Sequence, residues 1–243
     1  MLYLHRLQTF FIRLFSLTLL LTAMQVSVRA QQQLNLEYHD QKPYYFGITL
    51  GVNSARFHTQ MHSHFLANDS VMVAEPNNSG GFSLGLSATA RISDRFQLRF
   101  NPQLSFMERS INYTLKYPDG GETEMTKTVE STNVSFPIQL KLQSDRIGNF
   151  RVYMMGGFKA DMDLASNARA KKAEDLVKIK KFDFGPELGI GFNFYFPSFI
   201  LSPEIKISNG LPNIHSRDSQ LKYSTVFDKI QSRQITFSLH IEG

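Results

Sequence analysis

Apolar and polar residues alternate one for one along most of this chain, the period of a β-strand whose two faces meet different surroundings. From Tyr45 onward eight such runs can be read. The first sets Phe46, Ile48, Leu50 and Val52 against Gly47, Thr49 and Gly51. The second runs from Phe82 to Ile92 opposite Ser83 to Arg91, and the third from Phe96 to Phe106 opposite Gln97, Arg99, Asn101 and Gln103. The fourth runs from Val134 to Leu142 against Ser135, Gln139 and Lys141, and the fifth from Phe150 to Met162 against Arg151, Tyr153, Lys159 and Asp161. The sixth sets Phe182 to Phe194 against Asp183, Glu187 and Asn193. The seventh sets Phe199 to Ile207 against Glu204 and Lys206, and the eighth Ile235 to Ile241 against Gln234, Ser238 and His240. None of the residues on the eight apolar faces carries a charge.

The connections carry a second pattern. Ser93-Asp94-Arg95, Ser144 to Asn149 and Pro197-Ser198 are short turns, while polar segments near Ser54–Ser79, Lys116–Thr126, Leu164–Lys180 and Gly210–Ser232 are long. Short and long alternate strictly. That predicts an all-β, antiparallel up-and-down barrel of about eight strands, with short periplasmic turns, longer outside loops and both termini periplasmic.

Alternation alone does not say which face points outward; a soluble lipocalin-like barrel hides its apolar face inside. Here Phe gathers at strand ends (Phe46, Phe82, Phe96, Phe106, Phe150, Phe182, Phe194, Phe199), where the aromatic girdles of a membrane barrel belong. The polar faces are rich in Gly, Ser and Thr, which suits a narrow lumen. They also carry both signs of charge: Arg91, Arg99, Lys141, Arg151, Lys159 and Lys206 against Asp161, Asp183, Glu187 and Glu204. An eight-stranded barrel is just wide enough to fill with side chains, and isolated buried ions are costly. These ten residues are therefore expected to pair into a closed plug rather than line a channel, which leaves no place for a small-molecule substrate or a cofactor. Pro102, Pro137, Pro186 and Pro203 fall inside the strands and predict bulges at some of these positions.

The N-terminus reads as a targeting segment. Arg6 and Arg13 precede an apolar run from Leu14 to Met24, and Val28-Arg29-Ala30 offers small residues for cleavage. The expected division is a signal peptide over 1–30 and an outer-membrane barrel domain over 31–243, with Gln31 to Lys42 a polar lead-in. After the signal no run reaches the roughly 20 apolar residues of a spanning helix, so membrane residence requires a barrel. The mean hydropathy of −0.22 fits, because only alternate strand residues meet lipid. With no Cys, disulfides, thiolate metal sites, a cysteine nucleophile and a lipid-anchored N-terminus are excluded. The net charge of +5 is scattered rather than striped, which argues against nucleic acid as a partner.

Four motifs suggest chemistry. His58, His62 and His64 have the spacing of a metal site, although a polar loop with exposed histidines explains them as well. His215, Ser216 and Asp218, with His240, hold the residue types of a lipid-modifying hydrolase or acyltransferase, but sequence neighbours on one loop seldom make a triad. Ala168 to Lys181 carries six basic residues, suited to lipopolysaccharide or an acidic partner. Asp69-Ser70-Val71 matches a short O-glycosylation acceptor.

The run from Val177 through Phe182-Asp183-Phe184-Gly185-Pro186-Glu187 to Pro197, then Ser202-Pro203-Glu204-Ile205-Lys206-Ile207-Ser208-Asn209-Gly210-Leu211, resembles the PorT family, called SprT in gliding relatives. Tyr44-Tyr45-Phe46-Gly47-Ile48 and Phe136-Pro137-Ile138 fit the same family. The resemblance implies a Bacteroidetes outer-membrane barrel needed by the type IX secretion system, which exports cargo with C-terminal signals such as gingipain-type proteases and adhesins. It implies other secretion subunits as partners and assigns no catalytic residue. A general adhesion or integrity barrel and a lipid-A-modifying enzyme are the rival expectations.

Overall fold

A computed structural model of the protein describes residues 33–63, 65, 71–119, 122–165, 178–216 and 226–243. The expected signal peptide and cleavage point over 1–30 lie outside them. The chain divides into Met1–Leu34 and Asn35–Gly243, and the second unit is the barrel. Its strands are β1 (Tyr44–Met61), β2 (Val71–Asn77), β3 (Ser79–Arg91), β4 (Phe96–Phe100), β5 (Gln103–Asp119), β6 (Glu122–Gln143), β7 (Phe150–Asp163), β8 (Phe182–Tyr195), β9 (Ile200–Asn209) and β10 (Phe227–Glu242).

These ten segments make eight staves. β2 and β3 are one strand with a bulge at Asn78: Asn77 faces Ser110 on β5, yet Gly81 faces Met107, a slip of one residue. β4 and β5 are one strand interrupted at Asn101-Pro102. Every pairing is antiparallel between neighbours, and β1 joins both β3 and β10, so the sheet closes on itself.

Inside and outside are unambiguous. Leu188 is 68% exposed while the adjacent Glu187 is 1% exposed, and the same contrast repeats around the ring. A wall of outward Leu, Ile, Val and Phe around a polar interior is stable only where the exterior meets hydrocarbon. The outward run of β8 from Phe182 to Phe194, at about 3.3 Å per residue and tilted by about 40°, spans roughly 30 Å, enough for a bilayer core. No helix among the described residues is long and apolar enough to cross a membrane. The strands do the crossing.

Two expectations fail. The strand prolines cause no bulges. Ala88 faces Phe100 and Gly85 faces Gln103, so the register runs through Pro102 unshifted; Leu188 facing Ile207 and Phe194 facing Leu201 carry it past Pro203. Proline here removes hydrogen bonds without adding a residue. At the pair Asn101–Pro137, the Asn101 N–H donates to the Pro137 carbonyl at 3.3 Å, and the ring nitrogen has nothing to return. The ladder is merely thinned.

Two of the four supposed long loops, near Ser54–Ser79 and Lys116–Thr126, also prove to be strand over much of their length. β1 continues to Met61, β2 occupies Val71–Asn77, and β5 and β6 run on to Asp119 and from Glu122 as one hairpin. In these extensions the alternation reverses phase. On β1 the inward positions change from Thr49 and Asn53 to Ala55 and Phe57, while the outward ones change from Val52 to Arg56 and His58. β5 follows, with Ile111, Tyr113 and Leu115 turned inward and Glu108, Asn112 and Lys116 outward. Beyond the lipid the outer face meets water, so a strand stays amphipathic only by turning its apolar side in. Phe57, Ile111, Tyr113, Phe227 and Ile230 are 0–1% exposed and form the centre of a dry cap at the long-loop end. The Tyr113 and Phe227 rings meet edge to face at 6.2 Å.

Candidate functional site

The lumen below the cap holds the chemistry, and strand parity positions it. Arg99 on β4 and Glu204 on β9 come from opposite sides of the ring and meet at its centre, Nη2 donating to Oε2 at 2.5 Å with both side chains fully buried. Tyr153 donates its hydroxyl to the same Glu204 oxygen at 2.8 Å, and His240 Nε2 lies 3.5 Å from Oε1. The other His240 nitrogen, Nδ1, lies 2.8 Å from Thr49 Oγ1, which accepts from Asn101 at 2.7 Å. Arg99 Nε donates to Gln139 at 2.5 Å, and Gln139 passes a bond to Glu187 at 2.5 Å. Gly191 leaves the space that the Tyr153 ring fills.

The remaining predicted charges make separate contacts. Lys141 stands 4.0 Å from Glu242, with its ammonium 4.2 Å over the Tyr153 ring. Lys159 pairs with Asp161 at 2.8 Å, and Asp183 accepts from Ser232. Lys206 is buried with no hydrogen bond among the described residues. Arg91 departs from the expectation of a lumen charge. It sits at the short-turn rim, bonded to the exposed Asp94 and the Asp40 carbonyl, because the strand ends there and its side chain reaches the mouth.

Arg151 meets Asp40 at 3.0 Å, and Asp40 belongs to the lead-in, not to a strand. That segment forms a 3-10 helix, Glu37–Gln41, lying across the short-turn mouth. Asp40 also takes Arg146 at 3.5 Å and the Tyr195 hydroxyl at 3.3 Å. His39 is buried against Tyr45, ring centroids 4.6 Å apart, and Arg146 stacks 3.7 Å over Tyr195. Burial holds the His39 imidazole below its ordinary value near 6.5, with Lys42 adding to the shift and Glu242 and Asp40 opposing it. A polar lead-in thus becomes a stopper.

Sequence reading missed Asp40, Arg146, Arg109, Asp163 and Glu242. Three of these were within its reach: Arg109, Asp163 and Glu242 continue the inward parity of β5, β7 and β10 past the points where the alternation was taken to end. The motifs fare differently. His58 is exposed on β1, His62 follows the strand end, and His64 lies outside the described residues, as do Asp69, Ser70 and residues 166–177 of the basic stretch. Lys180 donates to the Asn213 carbonyl at 2.9 Å, and His215 bridges to Ile179. Ile214 bonds Ile230, ten residues up β10 from His240, or about 30 Å. The His215–Ser216 pair and His240 are therefore not one site, and Asp218 lies outside the described residues.

A closed up-and-down barrel with a lipid-facing apolar wall and a lumen filled by charged side chains defines an integral protein of the bacterial outer membrane. The profile of the outer membrane protein beta-barrel domain family matches residues 30–216, and the chain belongs to that family. No curated protein matches it in sequence. Among solved structures it is similar to Neisserial surface protein A, at 14% identity over 81% of this chain and 95% of that one, with a TM-score of 0.40. The outer membrane protein OprG of Pseudomonas aeruginosa matches at 12% identity over 82% and 93%, TM-score 0.44. The attachment invasion locus protein Ail of Yersinia pestis, solved with a heparin analogue, matches at 9% over 83% and 100%, TM-score 0.36. The likeness extends no further than the barrel architecture.

Proposed function

We propose that this barrel is a non-enzymatic component of the type IX secretion system, serving the export of cargo with C-terminal signals. The observation that carries the reading is the PorT-like run from Val177 to Leu211, which here builds β8 and β9 and supplies Asp183, Glu187, Glu204 and Lys206 to the lumen. Physical support comes from the packing. With Arg99, Tyr153 and Glu204 closing the centre and the lead-in closing one mouth, no folded cargo passes through so narrow a bore. The role then falls to surfaces: the cap, the rims and the outer wall, held in place by a lumen network that is structural filling.

In this reading residues 1–30 are removed as a signal peptide, and the short turns and both termini face the periplasm. The apolar cap, with Lys180 and Lys181 beside it, faces outward, toward lipopolysaccharide and other secretion subunits. Nucleic acid and small-molecule substrates have no place in it. Deleting the gene should strand cargo proteases in the periplasm, with surface activity restored by the intact gene. Undiminished surface activity in the deletion strain would remove the proposal. The rival role in adhesion or envelope integrity draws on the β5–β6 hairpin, which runs well past the lipid band; there, deletion spares secretion and alters binding or detergent sensitivity.

A further inference from the structure

The outer wall is not evenly convex. Gly156 interrupts the outward row of β7 between Met154 and Phe158, and its missing side chain opens a groove of about 720 Å³ floored by Met154 and Gly156 and walled by Leu140, Leu142, Leu188 and Ile190. That volume lies within the range of roughly 300–1,000 Å³ typical of small-molecule sites. A second hollow of about 520 Å³ shares Leu142, Met154 and Ile190 and continues downward to Arg95, Ser144 and Asp145 at the short-turn rim. One apolar channel thus descends the lipid face and ends at a pair of opposite charges.

The polar end is fixed in place. The Gln143 N–H donates to the Arg95 carbonyl at 2.9 Å and the Gln143 amide to the Asp94 carbonyl at 3.0 Å, tying two neighbouring turns together. Arg95 Nη2 meets Asp145 at 3.0 Å, and the side chains stay 63% and 79% exposed, so both keep free capacity toward the membrane surface. A guanidinium beside a carboxylate matches a headgroup that carries phosphate and a primary ammonium.

We propose that this groove is a binding site for one diacyl phospholipid of the ethanolamine type. Its acyl chains lie along Gly156 and Met154, its phosphate meets Arg95 and its ammonium Asp145. The site rests on the orientation given above, in which the short-turn rim lies at the phospholipid leaflet facing the periplasm. A cation alone or an anion alone would meet one repulsive partner here, which selects the zwitterion over phosphatidylglycerol. A methylated choline head offers Asp145 no N–H.

Native mass spectrometry of the whole protein, released from mild detergent after exchange into defined lipid mixtures, tests this. Phosphatidylethanolamine should be retained over phosphatidylglycerol about two- to fivefold, the scale of one exposed charge pair. Asp145→Asn should abolish that preference, and Gly156→Phe should reduce retention of every lipid. The Gly156 position tolerates a side chain, because an added Cβ meets only the flexible end of Leu188, at 3.2 Å. Ile190→Trp fills the same groove from β8 if the first variant does not fold. Equal retention of the two lipids by the native protein overturns the proposal. So does retention indifferent to both filling variants, or a dimer that Gly156→Phe dissolves, which would make a second copy the occupant. Orientation is read separately, by labelling Ser144→Cys with an impermeant maleimide in intact and breached cells.

Discussion

Replacing Glu204 by Gln isolates the central charge with almost no change of shape. The amide keeps an oxygen for the Tyr153 hydroxyl, which now donates at 2.8 Å, so that bond can persist. What is lost is the negative charge 2.5 Å from Arg99, whose guanidinium is fully buried and whose other close partner is the neutral Gln139. Breaking a buried ion pair from one side costs about 3–5 kcal/mol. Glu242 and Glu187 in the same lumen soften the loss, which places the expectation at the lower end, about 3 kcal/mol. Urea unfolding in lipid vesicles, with the folded fraction read from mobility on unheated gels, measures it. The companion double variant, Arg99→Met with Glu204→Leu, removes both charges and should return to within about 2 kcal/mol of the parent. If Glu204→Gln alone stays within about 1 kcal/mol, the lumen is wet enough to solvate Arg99 and is not a closed plug.

Leu188→Arg puts a charge on the lipid face and should destabilise by about 2–4 kcal/mol in the same assay, whereas an unchanged midpoint would mean that this wall is covered by protein. Phe227→Ala empties the cap and should cost about 3–5 kcal/mol locally, seen as proteolysis of the long-loop end while the barrel stays resistant to detergent; uniform loss of both would mean that cap and barrel fold as one. For the stopper, His39 is buried in its neutral form, so above pH 6.5 docked and free segments are both unprotonated and stability is flat. As pH falls through that value only the free segment takes up the proton, and docking weakens until the lowered value is passed. Amide exchange of residues 35–42, corrected for intrinsic rates, should therefore show less protection at pH 5 than at pH 7.5, and His39→Phe should remove the difference. Reconstituted protein should give no steady conductance in planar bilayers, and open-channel steps would contradict the packing around Arg99 and Glu204.

Much of the architecture was legible because a barrel wall is written in parity. Ile190 and Gly191, or Leu98 and Arg99, declare their sides by alternation alone, and alternate short and long connections arrange the strands in order. Which charges meet was not legible. Arg99 and Glu204 share a level only once the stagger of the whole ring is fixed, and no local pattern encodes that stagger. The cap was missed for another reason: between Val52 and Phe57 the alternation changes phase, and a change of phase reads as its end. Asp40 carried no signal at all, since a lone carboxylate in a polar segment gains meaning only from Arg146 and Arg151 arriving from the third dimension. Proline misled because its missing N–H suggests a bulge, whereas a ring with many other rungs can do without a few bonds.

The seam between β1 and β10 is among the longest pairings in the ring, from Gly47 opposite Glu242 to Met61 opposite Phe227. It joins the first strand to the last. During synthesis and insertion, then, the first strand has one of its two lateral partners missing until the final stave arrives, and an unfinished chain exposes two raw edges to anything with a strand to offer. Whatever escorts this polypeptide across the periplasm must shield both edges, and must let go only when the tail is in reach.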